Sequence, residues 1–226
     1  MRELNNEKSF IEDVNKSILG IIKGLQNLKE INLEEFKKEN TVIINVDLIN
    51  GFCKSGNLSS QRVEKIIPYA VQINNLFKDY NKIFFVDKHT EKSAEFDAFL
   101  PHCIGGTTES EIVDELKDFA SENATICEKN SVNGFLCDSY SDWLKNNLDK
   151  INMIVVGDVT DICIMNFCLT QKAFFNEKNI KSRIIVPVKA VETFDVDETN
   201  HNGDLMNIFA LYNMSMNGIE IVKDIK

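Results

Sequence analysis

The stretch IVVGDVTDICIMNF, residues 154–167, changes rhythm in its middle. Ile154, Val155 and Val156 form a continuous apolar run, Gly157 stops it, and Asp158 and Asp161 flank a turn around Thr160. From residue 161 the pattern is helical to about residue 178. A buried strand that leaves through a turn into a helix is the repeating unit of an α/β sheet. Chemistry in such sheets gathers where the strands exit, so Cys163 is either a packed spacer or a nucleophile.

The same rhythm recurs on both sides. TVIINVD (41–47), KIFFVD (82–87), ATICEK (124–129), NMIVVG (152–157) and RIIVPV (183–188) are short Ile- and Val-rich runs, as strands buried on both faces require. IEIV (219–222) reads as an edge strand. Helical patterns fall between them, at about 61–79, 109–120, 138–148, 161–178 and 203–216. The expected fold is α/β: an open Rossmann-like sheet of about six mainly parallel strands flanked by helices, joined by right-handed crossovers. Residues 1–40 stand apart as an N-terminal helical extension, and 41–226 form the body. In the extension Ile11, Val14, Ile18, Ile21, Ile22, Leu25 and Leu28 mark one apolar helical face, and NLEEFKKEN reads as a short second helix. Such a face packs on the body or on another subunit, so a homo-oligomer is expected.

Composition narrows the partners. The chain has 226 residues, 43% hydrophobic and 27% charged, enough for an ordinary globular core. A formal charge of −10 argues against nucleic acid or an anionic membrane, both of which need a basic face. The polar start MRELNNEKSF lacks the apolar core of a signal peptide, and every apolar run is strand-sized. With six cysteines in no framework spacing, the expectation is a reduced, cytoplasmic protein.

Three kinds of reactive group share one edge of the expected sheet. Asp47, Asp87, Glu128–Lys129 and Cys163 all sit at or just past strand ends. Singly, each has a plain role: a packed cysteine, a turn-forming aspartate, a solvated lysine, with Asp161 as a helix N-cap. Together they are an acid, a base and a thiol. The ammonium and the helix N-terminus are expected to depress the thiol pKa. A second group, Asp87, His89 and His102, combines a carboxylate with two of the three histidines, a donor set suited to a divalent transition metal such as Zn, Fe or Mn.

Over about residues 40–222 the chain resembles the isochorismatase-like cysteine hydrolases, which include nicotinamidases. The resemblance rests on Asp47 and Phe52 in DLINGF, Lys129 in KNSVNGF, and Gly157, Thr160, Asp161 and Cys163 in GDVTDIC. It implies Cys163 as nucleophile, Asp47 as general base and Lys129 as the cation beside them. It also implies a cis peptide between Asp158 and Val159, with the N–H groups of Val159 and Cys163 as an oxyanion hole. LPHCIGGTTESE resembles the nicotinamidase metal segment, with Pro101, His102, Cys103, Gly106 and Thr107 in place. There the metal grips a pyridine nitrogen. Glu95 stands where some members place a further ligand, with Glu91 and Ser93 close by. Phe52 and Phe99 would wall a flat ring, their plain alternative being core packing. The tryptophan that often precedes the Pro-His is absent, and DKH replaces the usual Asp-Trp-His.

The implied activity is a metal-dependent amidase on a small carboxamide, nicotinamide first. Other amide or ureido substrates, or an isochorismate-type vinyl ether, are the alternatives within the family. Outside it stand a non-catalytic interaction protein working through the arm, and thiol redox chemistry of Cys163 with Cys168.

Overall fold

The computed structural model describes residues 7–121 and 124–226. In chain order the elements are α1 (Glu7–Gln26), β1 (Glu30–Ile31), β2 (Thr41–Val46), α2 (Asn50–Cys53), α3 (Gln61–Glu64), α4 (Ile67–Leu76) and β3 (Asn81–Asp87). Next come β4 (Ala124–Lys129), α5 (Asp138–Lys145), β5 (Asn152–Asp158), α6 (Met165–Glu177), β6 (Arg183–Pro187), β7 (Val191–Glu192), α7 (Gly203–Met216), β8 (Glu220–Val222) and β9 (Asp224–Ile225). The main sheet runs β4-β3-β2-β5-β6-β8, with the two-residue β7 added beside β5. Every pairing in it is parallel. From β2 the chain winds out to β3 and β4, and β5 then returns to the other side of β2. The switch point therefore lies between β2 and β5, where ligands enter such sheets.

Two apolar layers bury the sheet. One face packs on α4 through Ile67, Ala70 and Ile73. The other packs on α5, α6 and α7 through Tyr140, Phe167, Phe175 and Met214. Strand β2 alternates between them, Ile43 toward the first layer and Val42, Ile44 and Val46 toward the second, so the entire strand is apolar but for Thr41 and Asn45. Gly157 of β5 lies beside Val46 with φ of 123°, and a Cβ there would run into the Val46 carbonyl oxygen. Only glycine permits that approach.

Several expected helices take other forms. The 109–120 pattern is a pair of 3₁₀ turns, Thr108–Ser110 and Asp114–Ala120. Val113, Leu116 and Phe119 recur every three residues, the repeat of a 3₁₀ rather than an α-helix. The 61–79 pattern breaks into α3 and α4 because Pro68 occupies the first turn of a new helix. NLEEFKKEN also forms two 3₁₀ turns, between which Phe36 drops into the core against Phe77. Just before it, β1 pairs with β9 and Leu33 N–H donates to the Lys226 carbonyl at 2.7 Å, tying this segment to the body. Helix α1 buries none of its residues; Ile18, Ile21, Ile22 and Leu25 are half-covered beside α7.

Candidate active site

Four neighbouring strands deliver the reactive groups. Asp47 follows β2 in a left-handed conformation (φ 52°), its N–H bonded to the Phe85 carbonyl at 3.0 Å. An aspartate tolerates that geometry, which turns the carboxylate back across the sheet end. Its Oδ1 accepts the Asp87 N–H at 3.0 Å. Lys129, paired with Asp87 in register, places Nζ 2.8 Å from Asp47 Oδ2, 2.6 Å from Asp87 Oδ1 and 3.7 Å from Cys163 Sγ. All four side chains are buried. The Asp158–Val159 peptide is cis, as the resemblance implies. A single π-turn, Thr160–Ile164, follows it and carries Cys163 into α6.

Two carboxylates sharing one ammonium do not titrate alike. Burial pushes the Asp47 carboxyl up to about 7, against the pull of Lys129. Asp87 is held well below the usual carboxylate range: burial opposes this, but Lys129 and the His102 and His89 rings that face it outweigh it. Lys129 goes far up, since the carboxylates beside it overcome its desolvation. The expected low thiol pKa is not found. Burial pushes Cys163 well up, and Asp47 and Asp87 add to the rise against Lys129. Helix dipole and one ammonium lose to desolvation plus two negative charges, which holds the sulfur toward its thiol form beside the Asp47 carboxyl.

The second group closes on the other oxygen of Asp87. Asp87 Oδ2 lies 3.5 Å from His89 Nε2 and 3.7 Å from His102 Nε2, and Glu95 Oε1 lies 3.7 Å from His89 Nε2. One donor atom from each of Asp87, His89, Glu95 and His102 falls within 4.8 Å of the others. The rings are oriented from behind: His89 Nδ1 meets Asn130 Oδ1 at 2.9 Å and Ser93 Oγ at 3.3 Å, and His102 Nδ1 meets the Leu100 carbonyl at 2.8 Å. His89 Nε2 is buried with no hydrogen-bond partner among the described residues. Two imidazoles, two carboxylates and an orphaned nitrogen aimed at a common point fit a divalent transition metal. Of the neighbouring alternatives, Ser93 serves His89 from behind, and Glu95 faces the centre.

Both groups reach one cavity, the first through Cys163 and the second through Asp87, Glu95 and His102. Phe52, Phe99, Val159 and Cys163 line it, as do Asp87, Glu95 and His102. Phe52 and Phe99 sit with ring centroids 5.5 and 6.2 Å from His102. Leu58, Val132, Ile162 and Phe194 complete the walls, and none of these was singled out from sequence. Asn130 could have been, as the next residue past Lys129 at a strand exit. Phe194 lies in an irregular segment whose pattern carries no signal.

Comparison with known proteins gives the family of the chain. The isochorismatase domain family matches residues 41–216. The chain belongs to that family. It is thus an isochorismatase-type hydrolase, and Nicotinamidase 1 of Arabidopsis thaliana is 30% identical to it over 210 residues, 81% of this chain and 85% of the relative. Two solved structures share the family fold. The pyrazinamidase/nicotinamidase of Streptococcus mutans UA159 superposes with a TM-score of 0.67 at 21% identity, covering 80% of this chain and 99% of its own. The pyrazinamidase of Pyrococcus horikoshii, solved in complex with zinc, gives 0.65 at 22% identity, covering 81% and 99%. Among the described residues no helix is long and apolar enough to cross a membrane.

Proposed function

We propose that this hydrolase is a nicotinamidase, cleaving the carboxamide C–N bond of nicotinamide to give nicotinate and ammonia. The observation that carries the reading is the shared use of Asp87. One of its oxygens completes the Lys129 centre beside Cys163, and the other faces His89 and His102.

Asp47, its carboxyl raised to about 7, is matched to take the Cys163 thiol proton near neutral pH. Sγ then attacks the carboxamide carbon, and the N–H groups of Val159 and Cys163 receive the charge on the carboxamide oxygen. Protonated Asp47 returns its proton to the departing nitrogen, and ammonia leaves a thioester on Cys163. Water, deprotonated by the same Asp47, adds to the thioester carbon; nicotinate leaves as Sγ recovers the proton. Lys129 holds Asp47 and the sulfur in register and offsets the negative charge of the thiolate. Phe52 and Phe99 hold the ring flat. Asp87, His89, Glu95 and His102 would bind a divalent transition metal, Zn, Fe or Mn, which supplies a ligand bond to the ring nitrogen. The reading is tested by metal analysis of the purified protein, followed by ammonia release from nicotinamide and from benzamide, which lacks the ring nitrogen. A protein that carries no metal and releases ammonia from neither amide sinks it.

The half-covered apolar face of α1 supports a homo-oligomer. Light scattering of the intact protein beside Ile21→Asp measures it, with a smaller mass expected for the variant and chemistry per site unchanged.

A further inference from the structure

The third histidine belongs to neither group described above. Residues 193–202 loop from β7 to α7, closed by an antiparallel bridge in which Val196 N–H donates to the His201 carbonyl at 2.9 Å and His201 N–H returns to the Val196 carbonyl at 3.0 Å. The loop is anchored by Arg62 Nε donating to the Thr193 carbonyl at 3.2 Å and by Gly203 N–H donating to Asp195 Oδ1 at 2.6 Å. Phe194, at its start, is a wall of the cavity. The His201 ring lies with its centroid 5.0 Å from that of Phe194. Its Nδ1 is 3.1 Å from the Phe194 carbonyl oxygen, and its Nε2 is 2.8 Å from Asp161 Oδ2.

Asp161 sits in the π-turn two residues before Cys163 and beside Ile162, another cavity wall. It is not the N-cap expected from its position, since no side chain caps this turn. Its second oxygen, Oδ1, is buried without a hydrogen-bond partner among the described residues. Among the described residues the only side-chain partner of this carboxylate is therefore His201, which bridges from the nucleophile turn to the wall at Phe194. Removing the ring would leave a largely buried carboxylate unsatisfied and release Phe194 at the same time.

We propose that His201 is a positioning residue for the hydrolysis: through Asp161 it sets the turn that presents Cys163, and through the Phe194 carbonyl it sets the wall facing the substrate. The proposal rests on the reading of Cys163 as the nucleophile. A geometric error of about 1 Å in such a constellation costs on the order of 10²-fold in rate. In the full-length chain, His201→Ala is expected to lower kcat/KM for nicotinamide about ten- to hundredfold, with KM rising as well as kcat falling. The melting temperature should stay within a few degrees. His201→Gln, whose amide can still donate to Asp161, should recover most of the loss. Phe194→Ala should raise KM, and adding His201→Ala to it should cost less than in the wild type, because both act on one wall. Unchanged kcat/KM in His201→Ala overturns the proposal. So does an equal loss in the Ala and Gln variants that tracks a fall in melting temperature, which marks a merely structural role. A second readout needs no turnover: iodoacetamide modification of Cys163, followed by mass spectrometry. Cys163 is only 5% exposed, so loosening the wall should speed its modification severalfold, and equal rates in wild type and His201→Ala overturn the proposal. If the wild type releases no ammonia from any amide, the nicotinamidase reading fails, while the modification rates still decide the role of His201.

Discussion

The cavity has two halves built on opposite principles. Around Cys163, Asp47 and Lys129 the groups neutralise one another: one ammonium lies within 3.7 Å of two carboxylates and a thiol. Around His89, His102 and Glu95 they do not, and His89 Nε2 has no hydrogen-bond partner among the described residues. The first half is complete in itself, while the donors of the second converge on a common point. Asp87 joins them, one oxygen in each. On the proposed function the first half performs chemistry on any carboxamide and the second selects the ring. The division can be broken experimentally.

The largest effect should come from the first half. Cys163→Ala should reduce ammonia release from nicotinamide and benzamide alike by on the order of 10⁴-fold or more. Cys168→Ala, buried behind it on α6, should keep most of the activity. Equal losses in the two variants would remove the nucleophile assignment. Next in size, Asp87→Asn keeps the volume but withdraws a charge from both halves. It should lower turnover of both amides by about 10²-fold, because Lys129 loses one of its two carboxylates in a buried site. Benzamide turnover at the wild-type rate would show that the halves are independent after all.

A selective effect should follow from the second half alone. His89→Ala, or chelation, should raise KM for nicotinamide about ten- to hundredfold and leave benzamide within about threefold, since losing a ligand weakens only what the metal grips. Equal losses on both substrates would mean that this half serves the chemistry too. The smallest effect is that of pH. With its carboxyl raised to about 7, Asp47 is ionised above that pH and protonated below it. Benzamide turnover should therefore fall about tenfold per pH unit on the acid side of about 7, where the base is lost. The Cys163 thiol, itself pushed up, offers no thiolate to compensate. A profile flat down to about pH 5 would show that Asp47 is not the base.

How much of this was legible depends on whether a signal is local. The strands were, because burial on both faces forces continuous apolar runs such as TVIINV and NMIVVG. So were the strand-end residues, since Asp47, Asp87, Lys129 and Cys163 each mark the point where an apolar run gives way to reactive groups. The 109–120 pattern reads as a helix but folds as 3₁₀ turns, and Val113, Leu116 and Phe119 repeat every three residues. The walls Leu58, Val132 and Phe194 were invisible, because apolar residues in loops look the same whether they line a cavity or a core.

The sequence by itself determined the order of strands and helices, the edge at which reactive side chains gather, and their chemical types, because these follow from periodicity and residue identity along the chain. Only the tertiary structure decided how those groups are charged. A helix N-terminus and a lysine argued for a low thiol pKa, yet burial beside two carboxylates drives it up and raises Asp47 to about 7. The fold also decided that one carboxylate, Asp87, joins two centres, and that His201, 40 residues along the chain from Asp161, lies 2.8 Å from it. Desolvation and charge coupling depend on distances in space, and residues far apart in sequence acquire those distances only when the parallel strands bring their ends together.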